Sequence, residues 1–432
     1  MPETTRPMGF NVVGHLSSES GLGVASRSTV ARMVAAGYPV AIVDVPAGSG
    51  DVGRDSSYAE RRLGPHAPLP YAVTVFHLNP IELRVLLNRR PAWFAGGDTL
   101  NVCVPFWELE RVPVPWEPVL AGMDAVLAPT SFIAAAVRAA LPSMRIIELP
   151  QSITLPDGIT ADRARFGIPE GALVCFSAFN TGSGTARKNP QGAIEAFKRA
   201  LPDLGEAVLV VKMMVTKTPD NPLAARRYVQ ALADVRRSIE ETPHVIVIDE
   251  TLAYRDVLSL YASSDVLIAL HRSEGLGLHL MEAMALGRAV VATGWSGNME
   301  FMTNENSIPI GYELVPVSST PGVEQSYSAG FVGSDLRWAE PHVDEAAAAL
   351  RRLAADPGAR IALGARARSD MERLNRSAAE SPAFSELEAL WREESVRPDF
   401  KSRESALLLG RHWRHSISLA TKTAIKRLLN RG

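Results

Sequence analysis

Two periods alternate along this chain. Short runs in which nearly every position is apolar stand between longer stretches whose apolar residues recur every three or four positions. The first kind reads as strands buried on both faces, the second as helices that cover them. Strands are predicted at Phe10–Leu16, Val40–Val45, Ala72–His77, Leu100–Pro105 and Ala125–Pro129, with helices from about Gly23 to Ala36 and from about Ser131. Proline, glycine and polar residues then break both periods over residues 156–170, which read as a linker. The alternation resumes with strands at Ala172–Ala178, Ala207–Lys212, Val245–Ile248, Val266–Leu270 and Ala289–Thr293. Helices are predicted between them at about 190–201, 222–240, 253–263 and 278–286.

Strands regularly separated by helices predict α/β architecture with parallel sheets covered on both faces. The expected organisation is an N-terminal Rossmann-like domain over 1–155 and a C-terminal one over 171–375. Residues 376–400 are expected to form a helix packing back on the first domain, followed by a tail at 401–432. Two doubly wound sheets in series leave a cleft between them, and ligands of such sheets sit beyond the carboxyl ends of the strands.

Bulk composition narrows the partners. At 432 residues, with 46% hydrophobic and 21% charged positions, the chain is long enough for two packed domains. A net charge of −2 gives no sign of a nucleic-acid partner. Two cysteines without CxxC spacing, Cys103 and Cys175, exclude a disulfide framework and a thiolate zinc site. The N-terminus lacks a signal-peptide layout and no window reaches the length of an apolar span, so a cytoplasmic protein is expected. The tail differs from the rest. It carries eight basic residues against Glu404 alone, a balance of +7, together with Trp413 and leucine pairs. Two readings stand side by side: a segment lying on an anionic membrane surface at the inner face of the plasma membrane, and a basic extension or helix without that role.

The segment His271-Arg-Ser-Glu-Gly-Leu-Gly-Leu-His-Leu-Met-Glu282 follows a predicted strand and opens a predicted helix. Gly275 and Gly277 allow a ligand to approach the backbone around Leu276 and Leu278, and the helix start suits an anionic diphosphate. Glu274 lies just before that start, placed to accept hydrogen bonds from sugar hydroxyls. Glu282, one turn in and leaning back, can reach a ribose. Arg187 and Lys188 follow a Gly/Ser-rich turn after Ala172–Ala178 and could neutralise a departing diphosphate. Because the chain has no Asp-x-Asp and no His/carboxylate cluster with ligand spacing, no metal and no other cofactor is expected.

Glu274 and Glu282, with seven residues between them, resemble the carboxylate pair of retaining glycosyltransferases of family 4, with the GT-B fold. The likeness extends to Ser20-Gly-Leu-Gly23, His77-Leu-Asn-Pro80, Phe106-Trp-Glu-Leu-Glu110, Arg187-Lys-Asn-Pro190, Ser296-Gly-Asn298 and Trp338-Ala-Glu-Pro341. It implies a metal-independent retaining transfer of a hexose from a nucleotide-sugar, GDP- or UDP-linked, to a glycan or lipid-linked glycan. By the same resemblance Glu274 binds the transferred sugar and Glu282 the ribose, while His271 and Arg272, at the strand exit before Glu274, are both candidates to touch the donor. Gly21 and Gly23 then lie near the donor phosphates, and His77 lines the acceptor side. The family also has an arginine about six residues before its lysine, where this chain has Gly182. Arg187 is expected to take its place, with Lys212 in reserve. Two rivals remain: an NAD-dependent oxidoreductase using Gly21, Gly23 and Asp44 as a dinucleotide half-site, and a nucleotide-binding scaffold without turnover.

Overall fold

The computed structural model describes residues 6–46, 55–64, 67–90, 93, 99–323 and 336–394. The chain divides into two compact units, one running to Ser152 and resuming at Ser377, the other spanning Ile153–Arg376. The second boundary therefore falls inside the helix Pro357–Ala379.

The first unit is built on six parallel strands: β1 Phe10–Gly14, β2 Val40–Asp44, β3 Val73–His77, β4 Leu100–Cys103, β5 Ala125–Ala128 and β6 Ile146–Glu148, ordered β2-β1-β3-β4-β5-β6. Strands β1 to β5 are almost wholly buried, as their unbroken apolar runs require. Phe10, Val12, Val73, Val75, Leu100 and Val102 form a core with Phe384, Leu387 and Leu390. Those last three come from the helix Ala383–Glu394, whose Glu388 accepts a hydrogen bond from Tyr38 Oη at 3.0 Å. Residues 395–400 and the basic tail 401–432 lie outside the described residues.

The second unit also holds six parallel strands: β7 Leu173–Asn180, β8 Ala207–Met214, β9 Val245–Ile248, β10 Val266–Ala269, β11 Ala289–Thr293 and β12 Ile308–Ile310, ordered β12-β11-β10-β7-β8-β9. An antiparallel pair follows, β13 Tyr312–Pro316 and β14 Arg337–Pro341. From β7 the chain winds outward through β8 and β9, then returns to lay β10 on the other side of β7. The carboxyl ends of β7 and β10 therefore flank the reversal of winding, the place where open α/β sheets bind ligands.

Several elements differ from the expectation for a physical reason. Strands β6 and β12 are three residues long, too short to carry a period. The β13–β14 pair joins segments twenty residues apart, beyond the reach of local patterning. Residues 156–170 are bound to the second unit. Arg163 donates to the carbonyls of Glu170 and Ala172 and pairs with Asp265, while Ser263 Oγ accepts from the Asp162 amide. Among the described residues no helix is long and apolar enough to cross a membrane.

Candidate active site

Two loops meet at the switch point of the second unit because β7 and β10 pair directly, Cys175 opposite Val266. One leaves β7 at Asn180 and forms the short helix Thr185–Lys188. The other leaves β10, passes through His271–Gly277 and enters the helix Leu278–Ala285. Gly277 caps that helix at φ +91°, a left-handed conformation that glycine adopts without strain. Leu276 is buried beside it, and Leu278 takes the first helical position. A third loop supports the turn from behind. A Cβ on Gly297 would stand 2.0 Å from the Gly275 carbonyl oxygen, so only glycine fits. Ser296 is held at φ +79°, and its Oγ accepts the Glu274 amide at 2.8 Å. Strained backbone of this kind survives where the surroundings fix it, and here it anchors Glu274.

Glu274, Lys188 and Arg187 form one charged group. Lys188 Nζ donates to Glu274 Oε1 at 2.5 Å, and Arg187 Nη1 stands 3.4 Å from the same oxygen. Arg187 also donates to the Ser273 carbonyl at 2.9 Å. Burial on its own would raise the Glu274 pKa, but Lys188 and then Arg187 outweigh it and hold the carboxyl well below the usual range. Such a group is a fixed anion and a poor proton acceptor near neutral pH. It is suited to accept hydrogen bonds from hydroxyl groups.

Arg272 fixes this assembly. It forms a bidentate pair with Glu340 of β14 at 2.6 and 2.9 Å and donates to the Ala186 carbonyl at 2.5 Å. Its fork is thus committed to holding the short cationic helix against the hairpin. The reserve cation Lys212 is committed too, donating to the Met213 and Glu250 carbonyls at 3.1 and 2.9 Å. At Gly182 a Cβ would meet Thr216 Cγ2 at 2.9 Å, because Thr216 is hydrogen-bonded to Thr181 there. A side chain at this exposed position would have to displace Thr216.

Glu282 is buried one turn into the helix, and its Oε1 accepts from Tyr254 Oη at 3.0 Å. Burial pushes its pKa up to about 7, against the pull of hydrogen bonds from Tyr254 and Tyr261. His271 is buried, with Nε2 3.0 Å from Asn298 Oδ1. His279, half-buried on the same helix as Glu282, has its pKa lowered to about 3, first by burial and then by Lys188. The sequence expectation of no His/carboxylate cluster needs correction here. His271, Glu274 and His279 each place a ligating atom within 4.8 Å of the others. Their spacing of three and five residues is unremarkable along the chain and becomes a cluster only because a loop turns into a helix between them. Tyr254 had no sequence signal at all.

The first unit holds the remaining expected residues. His77 ends β3, buried, with Nε2 2.9 Å from Thr29 Oγ1. Its pKa falls to about 3 through burial, then through the neighbouring His15, so it is neutral. Gly21 and Gly23 open the helix Gly21–Ala35, capped by Ser20. A Cβ on Gly23 would strike the Ser18 carbonyl oxygen at 2.1 Å, which explains that glycine by packing alone. Asp44 is not arranged for a ribose. Its Oδ1 accepts the Ser17 amide at 3.0 Å and its Oδ2 pairs with Arg62 at 3.3 Å. The strand order around β1 also lacks the 3-2-1-4 core of dinucleotide-binding sheets, so the oxidoreductase reading loses both its parts.

Residues 177–321, which include both cations and both carboxylates, match the family model described as Glycosyl transferases group 1. No curated protein sequence matches the chain. Among solved structures, it is similar to sucrose-phosphate synthase from Thermosynechococcus elongatus, with TM-score 0.58 and 14% identity over 89% of this chain and 98% of that one. It is also similar to the Anabaena protein HepE, solved with UDP and glucose, with TM-score 0.56 and 15% identity over 86% of this chain and 98% of that one. At these identities the likeness fixes the fold, which is GT-B. With a glycosyl transferases group 1 segment spanning its charged cluster, the chain is a glycosyltransferase.

Proposed function

We propose that the chain moves a hexose from a nucleotide-sugar bound at the switch point of the second unit to a glycan or lipid-linked glycan, with retention of configuration and without a divalent ion. The observation that carries this reading is Glu274 held ionised by Lys188 and Arg187 where the β7 and β10 loops meet. A carboxylate fixed in this way orients sugar hydroxyls. The cations beside it are in place to take up the charge of a leaving diphosphate, the role a metal fills elsewhere. The helix Leu278–Ala285 adds its amino-terminal dipole. Glu282 receives the ribose. The UDP present in the HepE structure supports a nucleoside diphosphate donor. Retention follows a front-face course in which the departing phosphate takes the acceptor proton, for Glu274 is too weak a base to do so. The family 4 assignment and a role for His77 on the acceptor side belong to this same reading, as does an anionic membrane surface met through 401–432.

A thermal-shift panel of UDP-, GDP- and ADP-sugars with NAD as control tests the donor class. One nucleotide-sugar family raises the melting temperature with concentration, and NAD does not. A shift with NAD alone removes the proposal. The panel also has a pH signature. Ribose hydroxyls donate to the ionised form of Glu282, whose pKa stands at about 7 before binding. Donor affinity therefore weakens as pH falls below about 7, by up to about tenfold per pH unit, and Glu282→Gln abolishes the dependence. A flat affinity between pH 8 and 6 in the unaltered protein takes Glu282 out of donor binding.

A further inference from the structure

We propose that His271, Glu274 and His279 form a binding site for a transition-metal dication such as zinc, and that filling it blocks sugar transfer. The three ligating atoms already lie within 4.8 Å of one another. Zinc, with bonds of about 2.0–2.2 Å to nitrogen and oxygen, needs each to move by only about an ångström. The decisive feature is His271. The Nδ2 of Asn298 donates to the Thr293 carbonyl at 2.9 Å, which fixes the amide so that its Oδ1 faces His271 Nε2 at 3.0 Å. Nε2 therefore carries the ring proton, and Nδ1 keeps its lone pair. That Nδ1 is buried and makes no hydrogen bond. A histidine whose Nε2 donates to an oxygen and whose Nδ1 stays bare, in a ring grouped with a carboxylate and another imidazole, is arranged as metal ligands are. Two nitrogens and one oxygen suit zinc or cobalt, whereas magnesium demands an oxygen shell.

Lys188 and Arg187 oppose the ion, since both hold the same Glu274 oxygen. Metal and Lys188 thus compete for Glu274. The blocking role rests on the proposed function, because it is the sugar-orienting carboxylate that the ion takes, but binding of the ion does not depend on it.

The test adds Co2+ to the full-length protein, free of affinity tags, and reads its visible ligand-field absorption. The expected result is one Co2+ per chain, displaced by Zn2+ and not by Mg2+. His279→Ala weakens Co2+ binding by at least about tenfold, as loss of a ligand should. Lys188→Ala tightens it by at least about tenfold, because a positive charge leaves the site. Zn2+ inhibits transfer over the concentration range in which it binds, and EDTA restores it. Absence of the Co2+ absorption, or equal affinity in the protein and His279→Ala, overturns the metal site and leaves the transferase reading standing. Binding without inhibition overturns the blocking role.

Discussion

Glu274→Gln is expected to lower turnover by about a hundredfold or more while donor binding changes much less. The carboxylate is held directly against Lys188 and Arg187 through a single oxygen. Glutamine keeps the shape but loses the charge that draws sugar hydroxyls into one orientation, and interactions that strengthen towards the transition state register in turnover rather than in ground-state affinity. Some stability is lost as well, because buried Arg187 and half-buried Lys188 lose the charge of the carboxylate they contact. A melting curve measured beside the kinetics separates the two effects. Turnover within a few fold of the unaltered enzyme, in protein of normal stability, would remove Glu274 from the mechanism.

Lys188→Ala is expected to cost a comparable factor, again about a hundredfold or more in turnover. The reasoning turns on which cation can follow the leaving group. Arg187 is more deeply placed, its side chain 6% exposed against 15% for Lys188, and its fork also supports the Ser273 carbonyl. Lys188 is therefore better able to pass from Glu274 to the departing diphosphate. Arg187→Ala should act mainly through stability, since it removes a brace of the turn that carries Glu274. If Lys188→Ala retains near-normal turnover while Arg187→Ala folds well and is inactive, the roles of the two cations are the reverse of those assigned here.

The apolar periods made both parallel sheets legible. Fully buried strands such as Val73–His77 and Ala289–Thr293 leave unbroken apolar runs, and their covering helices leave a stripe. The carboxylates and cations were legible for a related reason. Gly277 and the loops after β7 and β10 follow from local backbone demands that glycine and turn residues announce. What was hidden depends on residues distant in sequence coming together. The bidentate Arg272–Glu340 pair spans 68 positions, and the Tyr254–Glu282 bond joins two separate helices. The close approach of Thr216 to Gly182 likewise depends on the fold, and no residue near Gly182 records it. The half-site at Gly21, a rival reading only, has the opposite origin. Its Gly23 is required by packing over the Ser18 carbonyl, so a glycine there arises without any dinucleotide.

The central claim is that fixed cations, with no divalent ion, carry the charge of the leaving diphosphate during transfer with retention. The most direct measurement is product formation from the preferred nucleotide-sugar and a panel of glycan acceptors in excess EDTA, with the new linkage assigned by NMR. The expected result is an undiminished rate and a product in the donor's anomeric configuration. A rate abolished by EDTA and restored by magnesium or manganese, or a product of inverted configuration, would contradict it.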